Sequence, residues 1–345
     1  MMNKAVIIVL ALLGCLQVSC ASTPIGAPLI ILKATVVDEL GDPIEDADLT
    51  AGFPGFQGKG IVKNAVTDLN GFGSVKGHAH FGVNLLINKD GYYESKFWKI
   101  YVSEDPDSGE LTPRTRSFDV TLRRTINPRG LIAKRKEFEI PVKGDWVGYD
   151  FEQGDWVEPY GQGQEGDLLV RYENKFLGYN VSEEKLKEIR DIMGKWSVKN
   201  GKAWTEEMER HTHGNWSGKL EVKFPSEGEG IVKVVDGYLE QSEMKMPHMA
   251  FEEGYETDAA WTGDMPRGNP VLYQGYFLRL RVVKRGDEII EANYAKINEE
   301  PVFDPRGTIS FSYYFNPDVN DRNLEFDPSK NLLKNLDSQE RVKLP

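Results

Sequence analysis

Short apolar runs of period two, cut by glycine, aspartate and proline, constrain this chain more than any other feature. Phe118, Val120 and Leu122 alternate with Ser117, Asp119, Thr121 and Arg123. Leu220, Val222 and Phe224 alternate in the same way with Lys219, Glu221 and Lys223. Side chains two apart on a strand share a face, so each run predicts one buried and one wet face. The breaks are built from turn residues: Gly41-Asp42-Pro43, Asp68-Leu69-Asn70-Gly71, Lys89-Asp90-Gly91 and Lys284-Arg285-Gly286-Asp287-Glu288. Gly41 tolerates positive φ, Asp42 can hydrogen-bond locally, and Pro43 cannot donate to a central ladder. The last break, between the runs 276–283 and 289–297, predicts a hairpin. Helical signal is confined to one place. Ser182 suits an N-cap, Glu183 and Glu184 suit the first turn, and Leu186, Ile189 and Met193 fall on one face. They predict a single amphipathic helix from about Glu183 to Met193 in a mainly β fold.

The start of the chain reads as an export signal. Lys4 supplies the positive charge, Ala5 to Leu13 an apolar core too short to span a membrane, and Ser19 to Ser22 small residues. Leu12-Leu13-Gly14-Cys15 is similar to a lipobox, which implies lipidation at Cys15; ordinary cleavage after Ala21 is the competing reading. A lipid at Cys15 would tether the protein without crossing the bilayer. Both cysteines, Cys15 and Cys20, lie in this leader, so no disulfide framework or cysteine-ligated metal is expected in the mature protein. With 54 Asp and Glu against 42 Lys and Arg, the chain carries a formal charge of −12, which argues against a binder of nucleic-acid phosphates.

Residues 32–102 carry the one informative likeness. Strand-like Leu32 to Asp38, the turn Glu39 to Ile44, the alternating Glu45 to Thr50, Thr67-Asp68-Leu69-Asn70-Gly71-Phe72-Gly73 and Ile87-Asn88-Lys89-Asp90-Gly91-Tyr92 together resemble the carboxypeptidase regulatory-like domain. The resemblance implies a seven-stranded-type β-sandwich of prealbumin or immunoglobulin-like form, common as an accessory in exported bacterial proteins. The expected organisation is a signal peptide over 1–21, a tether over 22–30 and the sandwich over 31–125. A larger β-rich domain with one short helix follows over 126–317, then a polar tail over 318–345, wrapped or partly mobile. The second domain is similar to uncharacterised exported bacterial proteins in stretches such as Gly154 to Gly161 and Tyr314-Phe315-Asn316-Pro317, a likeness that brings no activity with it.

Several residue sets invite chemistry. Gly161-Gln162-Gly163-Gln164-Glu165-Gly166 has dinucleotide-fingerprint spacing, but the strand-like Asp167 to Tyr172 follows where a helix is required, so it reads as a loop. Asp68 and Asn70 offer a calcium reading that lacks the remaining ligands. Four of the five histidines form His-x-His pairs, His78 with His80 and His211 with His213. On a strand each pair would present two imidazoles to one metal ion, and His211 with His213, near Glu206, Glu207 and Glu209, is the preferred candidate. Tryptophans concentrate after residue 126, and the repeat Gly144-Asp145-Trp146-Val147 and Gly154-Asp155-Trp156-Val157 suggests two similar strand starts. Trp146 and Trp156 are thus candidate sugar-stacking residues, with burial in the core as the favoured alternative.

Zinc carboxypeptidase, zincin, serine-elbow and phosphate-loop signatures are missing, and no cofactor is implied. The expected function is non-catalytic binding or scaffolding at the bacterial envelope, in the periplasm or at the cell surface, with a polysaccharide or an envelope protein as partner. The alternatives are a carboxylate-dependent glycan-active enzyme and a periplasmic metal-binding protein.

Overall fold

The computed structural model describes residues 27–55, 60–80, 82–100, 114–265 and 274–345. The leader with Cys15 and Cys20, and the loop expected over 103–109, lie outside the described residues. The protein is mainly β and divides into two compact units.

The first unit holds most of seven strands: β1 (Leu29–Val37), β2 (Asp48–Phe53), β3 (Ile61–Val66), β4 (Phe72–His78), β5 (Val83–Asn88), β6 (Ser95–Ile100) and β7 (Arg114–Thr121). They form a three-stranded sheet, β4-β1-β7, and a four-stranded sheet, β3-β2-β5-β6. Period-two burial puts Ile30, Leu32, Ala34 and Val36 of β1 inside, with Leu49, Ala51 and Phe53 of β2. Gly77 of β4 lets the sheets close on one another. A Cβ there would stand 2.6 Å from the Phe53 ring. At the turn after Thr67, Asp68 Oδ1 accepts from the backbone N–H of Asn70 (2.9 Å) and of Phe72 (3.0 Å), so the carboxylate of the calcium reading is spent on a local turn.

The second unit takes Val37–Pro43, Ile87–Lys96 and Val120–Pro345, a different division from a cut near residue 125. Its strands are β8 (Ile132–Glu139), β9 (Val147–Asp150), β10 (Asp155–Trp156), β11 (Leu168–Tyr179), β12 (Gly214–Lys223), β13 (Gly230–Val234), β14 (Asp258–Met265), β15 (Gly275–Arg285), β16 (Glu288–Ile297), β17 (Val302–Asp304) and β18 (Thr308–Asn316). A five-stranded sheet runs β10-β9-β11-β12-β14, and a six-stranded sheet runs β13-β15-β16-β18-β17 with β8 also on β18. The predicted hairpin is β15 and β16, and the repeated Gly-Asp-Trp-Val words open β9 and β10, which pair with each other.

One face of the six-stranded sheet packs on the five-stranded sheet. Leu278, Leu280, Ala295, Ile297, Phe311 and Phe315 meet Tyr149, Leu168, Val170, Leu220 and Val222, and each large side chain buried there contributes roughly 1.5–3 kcal/mol. The opposite face, with Val234, Phe277, Tyr294 and Tyr314, is covered by Met246, Ala250, Leu324 and Phe326. The last 28 residues therefore wrap the sheet as part of its core. Asn316 Nδ2 donates to the Asp321 (3.1 Å) and Asn323 (3.0 Å) carbonyls and pins the turn that starts the wrap.

Two helices stand between β11 and β12, where one was expected. α1 (Glu183–Asn200) starts at the Ser182 cap, whose hydroxyl accepts from Lys185 N, and runs on to Gly201 in the left-handed conformation. α2 (Glu206–His213) starts at Thr205, whose side chain accepts from Met208 N. Its acids lie in the first turn and Arg210, His211 and His213 in the last, the arrangement the helix dipole favours. Period-two reasoning does not register so short a helix.

Candidate ligand-binding cleft

A cleft of about 510 Å³ opens beside α2. β11 contributes Tyr172 and Asn174, β12 contributes Trp216, α2 contributes Glu206, Glu207, Arg210 and His211, and the turn from β17 to β18 contributes Arg306. The turn comes close because β12 carries Gly218, where a Cβ would stand 2.8 Å from Pro305 Cβ. Asn174 Nδ2 donates to the Pro305 carbonyl at 2.5 Å.

The aromatic and basic groups are held in place. Trp216 Nε1 donates to the Arg210 carbonyl at 3.0 Å, and its ring meets Phe176 edge-on at 5.2 Å. Arg306 grips Asp304 through Nε at 2.9 Å and donates from Nη1 to the His211 carbonyl at 2.8 Å. The Asp304 carboxylate raises the Arg306 pKa, and Glu206 does the same for Arg210, so both guanidinium groups stay charged. Lys143 Nζ reaches the Asn174 carbonyl at 3.1 Å from the rim. Among the described residues, no fixed partner holds the Glu207 carboxylate or the His211 imidazole. The cleft thus offers one half-buried indole, a phenol and a rim of donors and acceptors, a set suited to a polar ring with an apolar face.

The structure separates the residues that the sequence groups. His211 and His213 lie on a helix, where positions two apart point about 200° from one another, so the shared face of the strand reading does not exist. His211 lines the cleft; Glu209 is turned inward and bound by Arg190 at 2.7 and 2.6 Å. His78 Nδ1 is bonded to the Ala27 carbonyl at 2.9 Å, and His248 Nε2 to the Arg124 carbonyl at 2.6 Å. Among the described residues, no group of three or more His, Cys, Asp or Glu side chains is placed to hold a metal ion.

Trp156 is 6% exposed and meets Phe138 and Tyr149 edge-on, with Nε1 on the Glu139 carbonyl at 3.1 Å. It is core and cannot stack on a ligand. Trp146 is half-buried, with Arg171 4.6 Å and Lys223 4.3 Å from its ring, so cations already occupy it. Trp216, Tyr172 and Arg306 were not singled out in the sequence. They are separated by up to 134 positions, and no local pattern links them before β11, β12 and the β17–β18 turn are assembled.

The glycine loop over 161–166 is a carboxylate-bound turn. Asp150 Oδ2 accepts from the N–H groups of Gln164 (2.8 Å) and Glu165 (3.1 Å), and Asp155 Oδ2 from Gln162 (3.0 Å). Those donors would otherwise be available to phosphate. Asp167 faces Arg281, which bonds it at 2.8 and 3.1 Å and reaches Glu152 at 2.5 Å. Burial raises the Asp167 pKa, and the Arg281 guanidinium opposes the rise. Among the described residues, seven carboxylates are buried: Asp38, Asp150, Asp167, Glu209, Glu229, Asp304 and Glu325. Each accepts hydrogen bonds from backbone amides or from arginine.

No family model matches the chain, and no curated protein matches it. Among solved structures, 3-chlorocatechol 1,2-dioxygenase from Rhodococcus opacus 1CP aligns at 14% identity and a TM-score of 0.23 over 29% of this chain and 61% of that one. Catechol 1,2-dioxygenase from Acinetobacter sp. ADP1 aligns at 16% and 0.25 over 31% and 55%, and a streptococcal ancillary pilin at 12% and 0.19 over 45% and 56%. The chain spans less than two thirds of each of these proteins. Likenesses this slight assign it neither a fold family nor an activity.

Proposed function

We propose that the protein is a non-catalytic binding or scaffolding protein of the bacterial envelope, and that the α2 cleft takes a polysaccharide. The observation that carries this reading is the pairing of an open cleft, lined by Trp216 and Tyr172, with buried carboxylates that are all committed to fixed donors. A glycan-active enzyme needs two carboxyl groups directed at the sugar, one holding and one releasing a proton. The acids most perturbed by burial, Asp167 and Glu229, point instead at Arg281 and at backbone amides, and of the two acids lining the cleft Glu206 is held by Arg210, which leaves Glu207 alone rather than a pair. The first unit is read as the carboxypeptidase regulatory-like accessory, supported by its sheets of three and four strands. Export, with lipidation at Cys15, rests on the leader sequence. Among the described residues no helix is long and apolar enough to cross a membrane.

Tryptophan fluorescence titrated with bacterial and environmental polysaccharides tests the reading. A saturable shift is expected, weakened about tenfold in Trp216→Ala, since a stacked ring contributes roughly 0.5–1.5 kcal/mol, and retained in Trp146→Phe. A flat response across the panel favours an envelope protein as partner, and release of reducing ends favours the enzyme.

A further inference from the structure

The covered face of the six-stranded sheet hides two cations, three of whose nitrogens lack acceptors. Lys296 of β16 is 0% exposed, and its Nζ has no hydrogen-bond partner. Arg123, which the period-two pattern after β7 assigns to the wet face, is 2% exposed, and its Nε and Nη1 also lack partners. A run of contacts joins the two. Arg123 Nη2 donates to the Gly237 carbonyl at 2.6 Å, and the adjacent Tyr238 donates from its hydroxyl to the Asn298 carbonyl at 3.0 Å. Asn298 Nδ2 donates to the Tyr314 hydroxyl at 2.8 Å, and the Tyr314 ring lies 4.6 Å from Lys296 Nζ.

Two carboxylates stand near these cations, and neither closes the account. Glu325, 0% exposed, already accepts from Tyr93 Oη (2.8 Å), Ile126 N (2.9 Å) and Asn127 N (2.5 Å), with His248 Nε2 at 3.8 Å. Glu39 is one-third exposed and comes only to 3.5 Å from Arg123 Nε. Counting the fully buried groups, Arg123 and protonated Lys296 against Glu325 leave one positive charge. An uncompensated buried charge with unmet N–H groups is strongly unfavourable, so the arrangement calls for one more negative acceptor.

We propose that Arg123 and Lys296 bind one small monovalent anion of the halide class inside the second unit, through the guanidinium Nε and Nη1 and the lysine Nζ. One charge is what the balance requires. A halide also accepts from several donors without needing a donor beyond these nitrogens, while the Tyr314 hydroxyl is already given to the Leu344 carbonyl and the Phe326 ring against it has no donor for the extra oxygens of an oxyanion. The electrostatics agree with the geometry: burial pushes the Lys296 amine down to about 7, the Arg123 charge pushes it the same way, and Glu325 opposes both. A bound anion would hold the amine protonated.

Thermal unfolding of the full chain, below the Lys296 pKa of about 7, is compared in sodium chloride and in sodium gluconate at equal ionic strength. Saturating chloride or bromide is expected to raise the midpoint by roughly 2–4 °C, and Lys296→Met and Arg123→Gln to abolish the rise. A crystal of the unmutated protein grown in bromide and measured at the bromine absorption edge gives a readout that does not depend on variants folding. A bromide peak within hydrogen-bond distance of Lys296 Nζ and the Arg123 guanidinium is the expected result. Water alone at those nitrogens, or a chloride response of equal size in Lys296→Met, overturns the inference.

Discussion

The two faces of the six-stranded sheet handle buried charge in opposite ways. On the face toward the five-stranded sheet, the buried Lys134 and the half-buried Arg281 are paired. Lys134 donates to the Gly154 carbonyl at 2.9 Å and meets Glu340 at 3.3 Å, and Arg281, lying 4.9 Å from the Phe315 ring, is bound by Asp167 and Glu152. On the other face Lys296 and Arg123 keep three nitrogens unmet. Charge is admitted to both interiors; only on the first is its electrostatic cost met by the protein's own acceptors. A paired buried cation is costly to remove, whereas an unpaired one is costly to keep.

The largest expected effect breaks the paired side. Arg281→Ala leaves Asp167, 3% exposed, facing Asp150 without its cation, and should lower stability in urea unfolding by roughly 3–5 kcal/mol. An effect below about 1 kcal/mol, within the range of exposed pairs, would remove the distinction between the faces. Next in size, Ile297→Ala on the dry face, where Ile297 is 2% exposed, should cost roughly 2–5 kcal/mol in the same measurement.

Its chain neighbour Lys296 points to the other face and should respond with the opposite sign. In gluconate buffer below the Lys296 pKa, Lys296→Met should raise stability by roughly 1–4 kcal/mol. The sign of the pH dependence follows from the lowered pKa. Below about 7 the amine is protonated in both states, and its burial penalty is fully present. Between there and the ordinary lysine value the unfolded chain binds more protons than the folded one. Stability contributed by this group therefore rises with pH across that window. Urea unfolding across it should show the rise in the unmutated protein and a flatter profile in Lys296→Met. Equal slopes would mean that the amine is not desolvated as the structure has it.

Much of the β framework was legible in sequence because period-two burial is a local signal. β12, the β15–β16 hairpin and the turn at Asp68 follow from residues adjacent in the chain. The cleft was not legible. Trp216, Tyr172 and Arg306 meet only when β11 and β12 pair and the β17–β18 turn settles over Gly218, and none of those events leaves a local mark. His211 and His213 misled because their spacing has meaning only once the backbone is known: two apart is one face on a strand and opposing sides on a helix. Arg123 misled for a related reason. A charged residue at an alternating position reads as wet unless something covers it, and here Arg123 lies against the Gly237 carbonyl, far along the chain.

The sequence by itself determined the mainly β class, the places of most strands in the second unit, the hairpin and the rejection of the glycine loop as a phosphate site. These depend on residues within a few positions of each other, where periodicity, turn chemistry and capping act directly. The tertiary structure alone decided which tryptophans are core, which groups line the cleft, and which cations are buried. Those outcomes depend on what lies across a sheet, and burial sets the strength of a charge only after distant segments have excluded water from it.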